Sequence, residues 1–183
     1  FSIDATSVGP LTARTPATLG ALRAALPGYD VVPIQQEGLE YRVSRAGEKL
    51  FDVVPEPDGS LLGVHVVSPR IAIAGRTAGG TARPAWQIGA PFPGVGAGMI
   101  CECWGARPVC FEAGDHVAVA IDKPCRVPSI STAGGRQALA GARIEVAIWS
   151  PRPLAAGGAA TDDAGEPDHH DDGDEGGPDA DAP

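Results

Sequence analysis

The sequence lacks the patterns by which a reaction usually announces itself. No Gly-x-Ser-x-Gly elbow surrounds Ser68, Ser129 or Ser131, which removes the strained nucleophile turn of many hydrolases. His65 and His116 are the only histidines ahead of the last 30 residues, and neither has a nucleophile beside it. Each therefore reads as a strand histidine facing water or a polar neighbour rather than as a general base. Gly94-x-Gly96-x-Gly98 lacks the strand and helix that must flank a nucleotide-binding loop. No other cofactor pattern is present. No stretch approaches the roughly 18 consecutive apolar residues of a membrane span.

Basic residues are missing from one end of the chain. From Leu154 onward there is no Lys or Arg but ten of the 23 acids, leaving residues 1–153 with 13 acids against 14 bases. The net charge of −9 thus belongs to the C-terminal tail, and the body is close to neutral. Neither a basic stripe for nucleic acid nor a basic amphipathic face for anionic lipid is visible. The tail, residues 154–183, is built from Ala, Gly, Asp, Glu and Pro, with Thr161 its only β-branched residue. Such a segment cannot bury enough apolar surface to offset its ordering entropy and is expected to be disordered. Asp168-His169-His170-Asp171-Asp172 within it offers oxygen and imidazole ligands to a divalent cation, against the simpler reading of a solubilising acidic tail.

Cysteine is absent outside a 25-residue window holding Cys101, Cys103, Cys110 and Cys125. An even, clustered set fits disulfides formed in an oxidising compartment, and four cysteines allow three pairings. Buried free thiols and a metal site are the alternatives. Cys-x-Cys-x6-Cys-x14-Cys lacks the two-to-four-residue ligand spacing of zinc modules. A thiol oxidoreductase would place Cys-x-x-Cys at a helix start, whereas Cys101-x-Cys103 falls on a predicted strand. The six residues from Trp104 to Val109 are long enough to turn a hairpin, which suggests Cys103–Cys110 and leaves Cys101–Cys125. Closing a loop of about 15 residues stabilises by about 3 kcal/mol in the chain-entropy model.

What is present reads as an α+β domain. At 183 residues the chain fits one domain and can bury roughly 68–70% of its unfolded surface. Thr15-Pro16 has the form of a helix start, Leu19, Leu22 and Leu26 recur at helical spacing, and Pro27-Gly28 ends the run. So short a helix must dock its leucine face on a sheet. Tyr29 to Ile34 follows as a strand whose Pro33 places it at an edge or bulge. Leu39-Tyr41-Val43, Lys49 to Val54 and Leu61 to Val67 then form a meander through turns at Ala46-Gly47-Glu48 and Pro57-Asp58-Gly59.

Residues 68–98 are rich in Gly, Pro and Ala, with short strands expected at Ile71 to Ile73 and Trp86 to Gly89 and a poor helix at Pro91 to Met99. Ile100 to Trp104, Val109 to Glu112 and His116 to Ile121 read as strands, and Lys123 to Ala142 as mostly loop. Arg143 to Trp149 is the final strand, with Ile144, Val146 and Ile148 on one face. The expectation is a mainly antiparallel sheet with one clear helix near the N-terminus, a folded body over 1–153 and a disordered tail over 154–183. The two halves share an order of Gly-rich lead-in, helical or turning segment and antiparallel strands. That order reads either as a pseudo-repeat or as the recurrence of short elements in any α+β domain. Among the tryptophans, Trp149 suits the core, while Trp104, in a cysteine-bounded loop with Arg107, is the candidate recognition element.

The order SVGPLTARTPATLGALRAALPGYDV (7–31), SPRIA (68–72), WQIGAPF (86–92), Val109-Cys110, HVAVAI (116–121) and RIEVAIW (143–149) resembles the small envelope lipoproteins of Gram-negative bacteria expressed under the envelope-stress sigma factor. That family has no known function. The resemblance spans residues 6–150 and is most specific in the TARTP-to-LPGYDV block. It implies a periplasm-facing domain tethered to a membrane by an N-terminal lipidated cysteine. No such cysteine precedes Phe1 here. The sequence opens without Met, which suggests that an upstream segment was removed or not included. The family pattern implies one cysteine pair, Cys110 with Cys101 or Cys103; the second pair and the acidic tail have no counterpart in it. The reading is a non-enzymatic envelope domain that binds another envelope component and meets a membrane only through such an anchor. A metal-binding protein using the tail, and an enzyme of unidentified type drawing on His65 or His116, are the alternatives.

Overall fold

The computed structural model describes residues 1–35, 38–74, 86–96, 98–126, 130 and 132–157. Three two-residue strands open the chain, β1 (Ser2–Ile3), β2 (Ser7–Val8) and β3 (Leu11–Thr12), followed by helix α1 (Leu19–Ala25). Then come β4 (Asp30–Gln35), β5 (Leu39–Arg45), β6 (Glu48–Pro55), β7 (Leu61–Val66) and β8 (Ala72–Ile73). The second half holds β9 (Met99–Trp104), β10 (Arg107–Glu112), β11 (Val117–Ile121), the short helix α2 (Ala133–Gln137) and β12 (Ile144–Trp149).

Helix α1 carries the expected leucine stripe, with Leu22 and Leu26 buried and Leu19 packed against the core. Its start is corrected by one turn. Thr18 is the N-cap and accepts from the Ala21 amide at 3.4 Å, while the Thr15 hydroxyl accepts from the Thr12 amide at 3.0 Å. The Ala17 amide donates to the Gly59 carbonyl at 2.8 Å, drawing the Pro16 segment onto the turn before β7 and out of helical geometry. Beyond the C-cap, Gly28 takes φ +80°, the left-handed conformation foreseen for it. Arg23 then reaches the Val31 carbonyl through Nη2 at 3.1 Å, tying helix to strand.

The eight long strands form one antiparallel sheet in the order β4-β5-β6-β7-β12-β11-β10-β9. Pro33 sits on β4, an edge strand, where its missing amide removes no ladder bond. Each half supplies a four-stranded meander, and the last strands of the two, β7 and β12, pair at the centre. The segments feeding the meanders differ. Helix α1 precedes β4, whereas residues 91–96 ahead of β9 hold no helix and α2 lies between β11 and β12. The strand expected at Trp86 to Gly89 is a turn instead. Its amides are taken up by the approach to β12: Gly89 donates to Ile144 O at 2.8 Å, and Ile144 returns a bond to Ala90 O at 3.0 Å.

One face of the sheet, here called the front, carries Val43, Phe51, Val53, Val64, Val66, Ala147 and Trp149 into the main core. Ile3, Val8 and Leu11 from the small β3-β2-β1-β8 sheet and Leu22 and Leu26 from α1 belong to the same cluster. The expected face of β12 is split. Ala120 pairs with Val146 but Ile121 with Ile144, so Glu145 is an extra residue that reverses the alternation. Ile144 therefore joins the front core with Ala147 and Trp149, while Val146 and Ile148 join Val109, Phe111, Ala118 and Ala120 on the back.

Candidate binding groove on the back of the sheet

Cross-strand register places one residue from each strand in a line across the back. Val32, Arg42, Asp52, His65, Ile148, Ala118, Phe111 and Ile100 are successive partners. Directly opposed residues share a face of a sheet, so these eight side chains form one row. The row changes character at its centre. On the β4–β6 side, Asp52 is 5% exposed, receives Arg42 Nε at 3.2 Å and is ion-paired with Lys49. On the β12–β9 side the row is hydrocarbon. Half-buried His65 stands at the boundary. Burial pushes its pKa below the ordinary histidine value and Lys49 adds to that, against an opposing pull from Asp52, so the imidazole is neutral at neutral pH.

The two halves of the back are covered unequally. Over the second meander, Trp104 lies against Phe111 with ring centroids 5.9 Å apart. The chain leaving β12 then crosses as a strap. Ser150 N donates to His116 O at 2.8 Å, Leu154 N to Asp115 O at 2.7 Å, and Gly157 N to Glu102 Oε1 at 2.7 Å. The chain is thus bound to the sheet four residues past the boundary expected at Pro153, and Leu154 packs in the back cluster. Residues 158–183, with the acidic His-containing segment, lie outside the described residues, as do Ser129 and Ser131. Over the first meander no such strap runs among the described residues, and Val32 and Leu62 are 43% and 44% exposed.

Where the covered half meets the open half there is a cavity of about 360 Å³, walled by Val54, Leu62, His65, Trp104, Ile148 and Leu154. A second cavity of about 530 Å³, toward Leu39, Glu40 and Glu56, shares Val54 and His65 with it. Trp104 borders the first cavity; its indole N–H, and that of Trp149 in the front core, are buried with no hydrogen-bond partner among the described residues. A buried donor without an acceptor is uncommon and calls for a reason.

The cysteines hold one wall of this cavity. All four are bridged, as Cys101–Cys110 and Cys103–Cys125, which corrects the pairing suggested by the hairpin length. The reason is register. Trp104 pairs with Arg107 across the tight Gly105-Ala106 turn, which sets Cys110 opposite Cys101 and leaves Cys103 opposite Pro108. Cys103 then reaches Cys125, whose amide also donates to Ala106 O at 2.8 Å. The turn beside Trp104 is thereby held from two sides. Arg107, singled out with Trp104, is its cross-strand neighbour but is ion-paired with Glu145 and does not border the cavity.

Of the candidate catalytic groups, His116 Nδ1 is engaged with the Ser150 carbonyl at 2.8 Å, a bond that secures the strap. Ser68 is buried and donates to Glu48 Oε1 at 3.2 Å. His65 is the histidine that opens onto a cavity. Val54, Leu62, Ile148 and Leu154 were not singled out from sequence; the only visible signal for Leu154, the first residue of the stretch read as tail, was that it is the last large apolar residue in the sequence.

No family model and no curated protein matches the sequence. The fold is shared with a solved structure, that of the uncharacterized protein YfeY from Escherichia coli, with a TM-score of 0.55 and 18% identity, covering 82% of this chain and 99% of that one. Among the described residues no helix is long and apolar enough to cross a membrane.

Proposed function

We propose that the protein is a non-enzymatic domain of the bacterial envelope, exported to the periplasm and tethered there by an N-terminal lipid anchor, that holds another envelope component in the groove behind its sheet. The observation that carries this reading is the doubly stapled β9–β10 turn, which presents Trp104 to a carbon-walled cavity bordered by the His65 imidazole. Disulfides are a device of oxidising compartments, and a pre-formed apolar cavity with few polar groups is a binding site in physical type. Symmetric strand order favours reading the two meanders as a pseudo-repeat, with the groove at their junction.

The test is co-sedimentation of the purified protein with isolated envelope fractions, comparing wild type with Trp104→Ala and His65→Ala. Binding that falls at least tenfold in Trp104→Ala supports the proposal. A turnover that disappears with His65→Ala, while Trp104→Ala still sediments like wild type, would replace it with an enzyme.

A further inference from the structure

We infer that the outer edge of β9 takes an extended peptide with a carboxylate side chain, paired to it as an added strand, with Arg136 meeting the carboxylate. This surface is separate from the groove on the back. The sheet ends in β4 on one side and β9 on the other, and an end strand turns unpaired backbone groups outward. β4 is closed to further pairing. Its Val31 carbonyl accepts from Arg23 Nε at 3.3 Å and Nη2 at 3.1 Å, and Pro33, two residues along the same edge, has no amide to give. β9 has neither device. Cys101 and Cys110 are directly opposed with Cα atoms 4.1 Å apart, the close spacing of a pair that exchanges no ladder bonds, and Pro108 has no amide to offer Cys103 opposite it. The amides and carbonyls of Cys101 and Cys103 therefore point away from β10, and among the described residues no hydrogen bond reaches them from outside the hairpin. Both residues are crosslinked, so the edge is held extended before any partner arrives.

What lies in front of this edge selects the partner. Met99, Cys101 and Cys103 face the front core, as do Val95 and Ile130. An open cavity of about 590 Å³ runs beside β9 between Met99, Cys101, Ile130 and Arg136. It continues past Gly96 and Arg136 into one of about 520 Å³ that reaches Gln137 and Ala140. Arg136 is the one charged side chain bordering either cavity among the described residues. Every second side chain of an added strand enters this space, so an apolar residue beside Ile130 and a carboxylate two residues along complement it. The surrounding stretch, residues 122–143, carries Lys123, Arg126, Arg136 and Arg143 against Asp122 alone, which favours an acidic partner over a basic one. A second copy of the chain fits less well. Two antiparallel β9 strands are related by an axis perpendicular to the sheet, which keeps front with front and turns two Arg136 cavities toward each other with no carboxylate in either.

The experiment is amide hydrogen exchange and calorimetry of the full chain with the acetylated heptapeptide Thr-Val-Thr-Glu-Thr-Val-Thr. Exchange at Cys101 and Cys103 should slow at least tenfold in the complex, while the β4 amides are unchanged. The same peptide with Lys in place of Glu should bind at least fivefold more weakly, and Arg136→Glu should reverse that preference. N-methylation of alternate peptide amides should abolish binding in one phase and spare it in the other, since an added strand turns only every second residue toward β9. Absence of binding at millimolar peptide, unchanged exchange at Cys101 and Cys103 in the complex, or equal affinity of the two methylated peptides overturns the inference. So does equal affinity of the wild type for the Glu and Lys peptides, a comparison that decides the role of charge even if Arg136→Glu does not fold. Protection of the two amides in the free chain overturns it as well: if truncation after Gly157 removes that protection the occupant is the chain's own acidic end, and if dilution to monomer removes it the occupant is a second copy.

Discussion

The two meanders have the same number of strands and the same hairpin order, yet they are stabilised by different means. The β4–β7 half buries its front beneath α1 and the small sheet, and leaves its back to an ion-paired Asp52 and exposed apolar side chains. The β9–β12 half carries both disulfides and buries its back as well, under Trp104 and the Ser150–Gly157 strap. A sheet with one wet face can tolerate a buried charge there because the cations that satisfy it stay partly hydrated; Arg42 and Lys49 are about a third exposed. A sheet buried on both faces cannot, and its back row is hydrocarbon. The groove lies where the two regimes meet, since only there does an apolar wall face an open side.

The sharpest way to break the comparison is through the front core of the first meander. Phe51 is fully buried, and Phe51→Ala is expected to destabilise by about 3–5 kcal/mol. Denaturant unfolding measures it, and a loss below about 1 kcal/mol would mean that the front of this half is not a packed core. Removing Cys103–Cys125, which spans 22 residues, with Cys103→Ser and Cys125→Ser together should cost about 3 kcal/mol. Amide exchange should accelerate first in β9 and β10, with β5 and β6 little changed; uniform acceleration would show that the staple serves the whole sheet.

Smaller effects sharpen the boundary of the helix that covers the first half. Thr18→Ala should lower stability by about 1 kcal/mol as a lost N-cap, and Thr15→Ala by less. The reverse order in thermal melts would move the helix start back to Thr15-Pro16.

The smallest expected change is with pH. The unfolded state binds a proton on His65 near the ordinary histidine pKa of about 6.5. The folded state resists it because the ring is desolvated, so the unfolded chain holds more protons in the window below 6.5. Stability from this site is complete above that value and declines as pH falls toward the depressed folded pKa. Wild type should therefore lose more stability than His65→Gln between pH 7.5 and 5. Parallel melting curves would show that His65 is not held neutral.

Local patterns were legible wherever one residue's neighbours in sequence are also its neighbours in space. The leucine stripe of α1, the alternation in β5, Pro33 at a sheet edge and the disulfide state of the cysteines follow from spacing and from residue chemistry alone. The cysteine pairing did not, because a one-residue difference in where a turn tightens changes which strand positions oppose each other. Nor did the face of β12, where the extra Glu145 reverses every side chain on one side of it. Trp104 could be singled out from its surroundings in the chain, and it does border the cavity. Its partners His65, Ile148 and Leu154 could not, being brought to it from 39, 44 and 50 residues away.

By itself, then, the order of residues determined a mainly antiparallel α+β body with an early helix, near-neutral charge and an acidic end, because these depend on periodicity and composition. The tertiary structure decided the joining of the two meanders through β7 and β12, the two crosslinks and the groove. Each of those depends on register between segments far apart in sequence, and register is set by turns, bulges and packing that act only once the chain has closed on itself.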